Sequence, residues 1–297
     1  MEKRSSAVSA PGEGGGEDVR SRGRVSCTRR RLLAGGILAA AAAATYGMWD
    51  AEQLETNEIV LPEDALPGCN GLRVLHFSDL HNNGPLMNEV VRRASELRPD
   101  VIVFTGDLVT DFERLMRTRT IIGQLKKLVA VAPVYACLGN HDMGKLDEVE
   151  RIFETAGVVL LRNAASEWKD SSGRALRIAG VGDWTEGDED PACCLVQLGN
   201  DEQLRLPTLL LSHNPESRFA LKPYAWNLML SGHTHGGQIG NPLTGKCLSL
   251  RSKMAAGLYD FDGRRVFVTR GVGNIGGVRF FCPPEINLLT VASNKGS

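Results

Sequence analysis

The sequence predicts an α/β fold in which two β-sheets pack face to face and helices flank them. The first observation is an alternation of short apolar runs with amphipathic stretches from Gly71 to Leu161, which is typical of parallel strands joined by helices. The second is a change after Trp168, where apolar runs follow one another with hardly any helix between them. The third is composition: 42% of the 297 residues are apolar, enough to bury a full core.

Each element is predicted for a local reason. Strands are expected where short apolar runs are bounded by polar or turn-forming residues. Helices are expected where apolar side chains recur at helical spacing and the run stops at Pro99, Pro133 or Gly157. The predicted strands are 72–77, 101–104, 134–138, 158–161, 177–180, 208–211, 227–230, 266–269 and 285–291. The predicted helices are 86–98, 121–129 and 146–156.

The first 49 residues are predicted to be a targeting segment. Residues 1–27 are rich in Gly, Ser and charge, which does not support a packed core. Three consecutive arginines at 29–31 then precede an uncharged run at 32–49, with small residues at 42–44. This order is typical of an export signal. A transmembrane anchor is the alternative, because the run is close to the ~20 residues that span a bilayer.

Residues 28–33, Thr-Arg-Arg-Arg-Leu-Leu, resemble a twin-arginine export signal, with Ala34 where Lys is common. The resemblance implies the twin-arginine export machinery as a partner and a periplasmic, cell-wall or membrane-associated protein, with the signal either cleaved or retained as an anchor. Residues 50–70 are predicted to be a linker or edge strand, and residues 71–297 a single domain.

Charge and cysteine content exclude several classes of protein. The chain has 34 Lys and Arg against 35 Asp and Glu, and eight of the basic but only four of the acidic residues precede residue 32. The remainder carries a net charge of −5, which is unfavourable for a nucleic-acid backbone, so we expect no nucleic-acid partner. Seven cysteines without a Cys-x-x-Cys pair exclude a zinc ribbon. We expect the cysteines to be structural and the protein to be a monomer.

Five polar clusters follow predicted strands and hold five of the six histidines. Ligand sites of open α/β sheets lie beyond the carboxyl ends of the strands, so we expect the clusters to meet at one rim. Glycines at 106, 139 and 232 would let the backbone turn sharply there. The candidate site residues are Asp79, His81, Asp107, Asn140, His141, Asp142, His213, His233 and His235. The sixth histidine, His76, is predicted to be a core or supporting residue.

The residue types indicate a metal site. Neutral imidazole and carboxylate suit Mn, Fe, Zn, Co or Ni, and the clusters contain no Cys for a thiolate site. In Asp79-x-His81 and His233-x-His235, a spacing of two in extended chain would point both side chains the same way.

In order and spacing, these clusters resemble the five motifs of calcineurin-like metallophosphoesterases, over about residues 70–292. The segments at 211–215, 232–238 and 269–273 look most like the YaeI/YkuE-type phosphodiesterases. The resemblance implies a four-layer αββα sandwich of two mixed sheets. Thr110 departs from the second motif, which often has Asp or Asn at this position. The position is not a primary ligand in the family, so the departure concerns loop geometry.

The resemblance also implies the roles of the candidate residues. Two divalent metal ions are expected, Mn first, with Fe, Zn, Co or Ni as alternatives. A metal-bridging hydroxide would attack phosphorus in line in a dimetal-dependent phosphodiesterase. His141 would stabilise developing charge and protonate the leaving oxygen, with Asp142 orienting its imidazole. The implied ligands of one metal are Asp79, His81 and His235, those of the other are Asn140, His213 and His233, and Asp107 bridges.

Several alternatives stay open. His141 could be a further ligand rather than an acid. The enzyme could hydrolyse a UDP-lipid pyrophosphate of the UDP-2,3-diacylglucosamine type, or the chain could be an inactive metal-binding scaffold. Two motif-like stretches, at 240–247 and 271–276, resemble phosphate- and dinucleotide-binding loops. They are predicted to be substrate-rim loops, because the first ends in Cys247 and prolines at 283 and 284 follow the second. Arg270 and Arg279 are predicted phosphate contacts there.

Overall fold

A computed structural model describes residues 19–110, 118–199, 205–248 and 252–293. Residues 1–18, which belong to the segment predicted to form no core, lie outside the described residues. The chain divides into two compact units, Met1–Thr45 and Tyr46–Ser297.

The first unit contributes most of helix α1 (Val19–Asp50). The alanine-rich composition of its second half favours a helix. Within Arg29–Asp50, this helix is long and apolar enough to cross a membrane, by length and composition. Four of its large apolar side chains are 67–71% exposed: Leu32, Leu33, Ile37 and Leu38. An apolar helix with exposed apolar side chains agrees with the predicted signal or anchor.

The first sheet of the second unit has six strands in the order β1-β12-β2-β3-β4-β5. Strands β2 to β5 are parallel, β12 is antiparallel to β2, and β1 pairs parallel with β12 at the edge. The strands are β1 (Glu55–Leu61), β2 (Arg73–Phe77), β3 (Val101–Thr105), β4 (Val134–Cys137), β5 (Val159–Leu160) and β12 (Glu285–Val291). The helices α2 (Gly84–Leu97), α3 (Thr118–Val129) and α4 (Leu146–Ala156) connect the parallel strands.

The second sheet also has six strands, in the order β10-β11-β9-β8-β7-β6. Its four central strands are parallel, and β10 and β6 add antiparallel edges. The strands are β6 (Ala164–Lys169), β7 (Ala175–Gly180), β8 (Thr208–Leu211), β9 (Leu228–Ser231), β10 (Gly257–Phe261) and β11 (Arg264–Val268).

The alternation of side chains along each strand builds the layers. In β3, Val101 and Val103 join the core between the two sheets, whereas Ile102 and Phe104 pack with α2, α3 and α4. On the outer face of the second sheet, a further core cluster includes Cys194 and Leu221, which lie next to the short 3₁₀ helices Pro191–Cys193 and Pro215–Phe219. The predicted α/β class, with two mixed sheets flanked by helices, is confirmed.

The two strands that the sequence pattern missed, β6 and β10, are edge strands. Their side chains are mostly half-buried or exposed, so they carry little apolar signal. The predicted linker or edge strand at 50–70 contains β1, which is an edge strand of the first sheet.

Candidate metal centre

The carboxyl ends of five parallel strands, β2, β3, β4, β8 and β9, carry all the candidate site residues. Each residue lies in the segment that directly follows its strand, and Asp142 and His235 begin short 3₁₀ helices there. The structure brings the seven candidate ligands into two adjoining groups, and Asp107 belongs to both.

The first group contains the imidazoles of His81 and His235. Their Nε2 atoms are 3.0 Å apart, and His235 Nε2 lies 3.3 Å from Asp79 Oδ1. His81 Nε2 lies 3.6 Å from Asp107 Oδ2. The four residues therefore direct side-chain nitrogen and oxygen atoms into one small volume.

The second group lies on the other side of Asp107. His213 Nε2 is 3.2 Å from Asp107 Oδ2 and 3.3 Å from His233 Nδ1. His233 Nδ1 is also 3.0 Å from Asn140 Oδ1. Asp107 thus faces an imidazole of each group, as a bridging carboxylate would.

These spacings fit residues that share a cation. Two ligand atoms bound at ~2.0–2.2 Å and separated by a right-angled to tetrahedral angle are ~2.8–3.6 Å apart. The distances given above for both groups fall in this range. Three sets of titratable ligand atoms lie within 4.8 Å of one another: Asp79, His81 and His235; His81, Asp107 and His141; and Asp79, Asp107 and His213. The arrangement can therefore hold a dimetal centre.

Hydrogen bonds behind the imidazoles orient them. His213 Nδ1 lies 2.7 Å from the Thr105 carbonyl oxygen, which can only accept, so Nδ1 donates and Nε2 is the atom left to bind a cation. His81 Nδ1 lies 2.6 Å from Thr110 Oγ1. Thr110, the one departure from the family motif, is therefore in contact with a candidate ligand, which the sequence did not reveal.

The loops hold these residues in an unusual backbone conformation. Five of the seven candidate ligands have positive φ, between 48° and 69°: Asp79, His81, Asp107, His233 and His235. Such values are uncommon outside glycine and cost about 1–3 kcal/mol each, and they cluster at functional sites. The prediction that extended chain would point His233 and His235 the same way is wrong, because left-handed backbone sends them to different groups.

Close contacts between the loops require glycine. A Cβ on Gly232 would collide with the side chains of Ser78 and Asp79, and one on Gly139 would collide with Asp107. Gly139 and Gly232 therefore allow loops to approach closely, whereas positive φ, which a sharp turn can require, is found at Gly106 (φ 90°). Gly271 and Gly273, in the stretch that resembles a dinucleotide-binding motif, also lie against the backbone or side chain of Asp79. They pack the last loop against the site.

The pKa values of the candidate ligands are shifted because their charged forms are buried among one another. Burial raises the pKa of Asp79 to about 6 and lowers the pKa of His81 to about 4. Burial opposes the charged form of His213, but attraction to Asp107 outweighs it and raises the pKa of His213 to about 10. A divalent cation would keep Asp79 ionised and displace the proton from His213.

His141 and Asp142 follow Asn140 in the loop after β4. The His141 ring lies edge-on to His81, with ring centres 5.1 Å apart, and the backbone N–H of His141 donates to Asp107 Oδ1 over 2.9 Å. The Asp142 carboxylate accepts backbone N–H bonds from Asp107, Leu108, Val109 and Gly139. Within the described residues it makes no bond to the His141 imidazole, so its contacts differ from the predicted ones.

Three other predictions concern residues around the centre. His76 is a core residue as predicted: it is buried, contacts Thr105 Oγ1 at 2.9 Å and packs against Phe267. The prediction that Arg279 contacts phosphate is wrong, because its side chain is fully buried and donates to backbone carbonyls, that of His235 among them. The guanidinium group of Arg270 forms ion pairs with the carboxylates of Glu285 and Glu55.

The fold and the paired metal-binding groups define a class of phosphoester hydrolases. The sequence matches the family model of the calcineurin-like phosphoesterases over residues 72–237, and the chain belongs to this family. It is therefore a metal-dependent phosphoester hydrolase.

Three individual proteins show sequence similarity to this chain. The chain is 32% identical over 227 residues to phosphodiesterase YaeI of Escherichia coli, with 73% of this chain and 81% of that protein covered. It is 30% identical to the uncharacterized metallophosphoesterase YkuE of Bacillus subtilis, with 90% and 99% covered. It is 29% identical to the UDP-2,3-diacylglucosamine pyrophosphatase LpxG of Chlamydia trachomatis, with 74% and 83% covered.

Proposed function

We propose that this protein is a dimetal phosphodiesterase whose metal ligands, and whose catalytic residue His141, are those expected from the sequence. The observation that carries the proposal is the convergence of seven ligand side chains in two groups that share Asp107. The similarity to phosphodiesterase YaeI supports diesters as the substrate class. The proposed metal ligands are Asp79, His81, Asp107, Asn140, His213, His233 and His235.

Metal ions held by these seven residues, with Mn as the first candidate, would supply Lewis acidity and an activated water. The side chains of the protein position the two ligand groups and carry out the proton transfer. Asp107 holds the two groups together and, through its Oδ1, fixes the backbone N–H of His141. His141 is half-buried beside His81, where its imidazole can stabilise the charge that develops on the phosphoryl group and protonate the leaving oxygen.

Asp142 takes a positioning role in this proposal. Its carboxylate bonds to the loop after β3 through Asp107, Leu108 and Val109, and to the loop after β4 through Gly139. Burial and repulsion by Asp107 raise the pKa of Asp142 to about 7, while its N–H partners favour the carboxylate form. By clamping the two loops, Asp142 sets the distance between Asp107 and His141.

Hydrolysis of bis-p-nitrophenyl phosphate tests this function. The metal-free protein should be inactive, and added Mn²⁺ should restore turnover. Asp107→Ala should lose both ions and essentially all activity, because the repulsion between two cations is then uncompensated. Two bound ions per chain in this variant would contradict the bridging assignment. A wild-type protein that binds two ions but hydrolyses neither diesters nor monoesters would be the inactive scaffold.

A UDP-lipid pyrophosphate is the second candidate substrate, because LpxG is among the relatives. Parallel assays with phosphodiesters, phosphomonoesters and UDP-2,3-diacylglucosamine separate the two. A kcat/KM for the UDP-lipid that exceeds that for every diester would favour the second candidate.

We also propose that the N-terminal segment is a twin-arginine signal that exports the protein or keeps it at the membrane. The exposed apolar side chains of α1 support membrane contact. The three arginines lie within α1, directly before the apolar run that begins at Leu32. A twin-arginine receptor reads planar guanidinium groups, so charge alone would not suffice.

A further inference from the structure

Two cysteines meet behind the metal centre. Cys247 lies in the segment between β9 and β10, Cys282 in the segment between β11 and β12, and their Sγ atoms are 3.4 Å apart. Both pack against Gly236, where an added Cβ would lie 2.7 Å from Cys282 Sγ and 2.9 Å from Cys247 Sγ. Gly236 directly follows the proposed ligand His235.

The other described cysteines have different surroundings. Cys69 Sγ donates to a backbone carbonyl, Cys193 Sγ to Asp190, and Cys194 Sγ to a second carbonyl. Cys137 is fully buried in the core between the sheets. Among the described cysteines, sulfur–sulfur contact is thus found at Cys247 and Cys282.

The two thiols differ in accessibility. Cys247 is half-buried and lines a cavity of about 650 Å³, together with Lys246, Tyr259 and Arg270. Cys282 is fully buried and is not among the residues that line this cavity. An oxidant in the cavity would therefore reach Cys247 first, and Cys282 Sγ, 3.4 Å from Cys247 Sγ, would be within reach of the oxidised Cys247.

We propose that Cys247 and Cys282 are a redox pair that closes to a disulfide when the protein meets a low-molecular-weight disulfide. Cys247 Sγ loses its proton and attacks one sulfur of the oxidant, which forms a mixed disulfide and releases one thiolate that takes up a proton. Cys282 Sγ then loses its proton and attacks Cys247 Sγ, which releases the second half of the oxidant as a thiolate that takes up the other proton. Two protein thiols become one disulfide, and the oxidant is reduced to two thiols, so atoms and electrons balance.

The disulfide would link the loop at residues 239–248 to the segment between β11 and β12, which packs against Gly236 next to the metal centre. The loop already pairs with itself through Gly240 and Cys247, and with Phe280 through Ile239. The carbonyl of Cys282 accepts a bond from buried Arg279, which also donates to the carbonyl of His235. Closing the pair therefore ties the loop to the segment that supports His235.

Peptide mapping of the full-length protein tests the pair. The reduced chain is incubated with oxidised glutathione, free thiols are blocked with N-ethylmaleimide, and the chain is digested with trypsin without reductant. Cleavage after Lys246 and Arg279 yields peptides 247–251 and 280–295. We expect these two peptides to be linked and to separate on reduction. Cys282→Ser should leave glutathione on Cys247, whereas the matched control Cys193→Ser should retain the link.

Thermal unfolding gives a second readout. The cysteines are 35 residues apart in sequence, so a disulfide restricts the unfolded chain and should raise Tm in the wild type but not in Cys247→Ser. Separate peptides, or a stable glutathione adduct on wild-type Cys247, would overturn the proposal. Hydrolysis of bis-p-nitrophenyl phosphate is measured independently, so this failure would leave the proposed phosphodiesterase function untouched.

Discussion

Thr110→Val should weaken one of the two metal sites and spare the other. Binding of a cation at His81 Nε2 requires the proton on Nδ1, and the atom that accepts this proton's hydrogen bond is Thr110 Oγ1, 2.6 Å away. Valine has nearly the same shape as threonine but removes this acceptor. The imidazole can then rotate or take the other tautomer, in which Nε2 carries the proton.

The size of the effect follows from the lost hydrogen bond. An unsatisfied buried donor costs about 1–3 kcal/mol. Thr110 is exposed, so water can replace part of the bond and the lower half of this range applies. A cost of about 1.4 kcal/mol corresponds to a tenfold loss of affinity, which is at the low end of the ~10–100-fold typical of residues that support metal ligands.

Titration of the metal-free protein with Mn²⁺ in competition with a chelating indicator measures both sites. The ion that we propose is held by Asp79, His81 and His235 should bind about tenfold more weakly in Thr110→Val. The ion that we propose is held by Asn140, His213 and His233 should bind nearly as in the wild type. Thr110→Ser keeps the hydroxyl and is the matched control. Wild-type affinity at both sites in the valine variant would refute the reasoning, and equal weakening by Ser and Val would assign the effect to the loop.

Three further predictions concern turnover, stability and export. His141→Ala should keep both ions and lose roughly 10²–10⁴-fold in kcat, less for p-nitrophenyl than for alkyl esters; equal losses across a leaving-group series would remove the general-acid role. Asp142→Asn presents an NH₂ group to N–H donors of two loops, so the free energy of unfolding measured with urea should fall by at least ~2 kcal/mol. An unchanged free energy of unfolding would contradict the proposed clamping of the two loops. Arg29→Lys with Arg30→Lys should stop export in a fractionation assay, and unaltered export would indicate another route or a plain anchor.

Much of the fold could be predicted from the sequence because its signals are local. Strand β3 is apolar at four consecutive positions, as a strand covered on both faces must be, and α2 and α4 end where the chain meets Pro99 and Gly157. Edge strands β6 and β10 were not predicted because most of their side chains are half-buried or exposed. Half-exposed strands need no continuous apolar run.

The chemistry of the candidate site was also available from the sequence. Aspartates and histidines directly after apolar strands imply a rim of metal-binding side chains, whatever the exact path of each loop. The type of ligand, the number of groups and the reaction class follow from residue identity and from the resemblance that these residues carry.

The tertiary structure alone decided how the backbone presents these residues and what supports them. The resemblance already implied different metals for His233 and His235, but the left-handed backbone that sends them to different groups is a conformation that residue type does not predict. Arg279 is buried, Thr110 supports His81 and Asp142 clamps two loops, because segments far apart in the chain meet there. Local propensities determine where strands and turns form, whereas contacts between loops depend on the packing of the whole domain, so only the folded chain determines them.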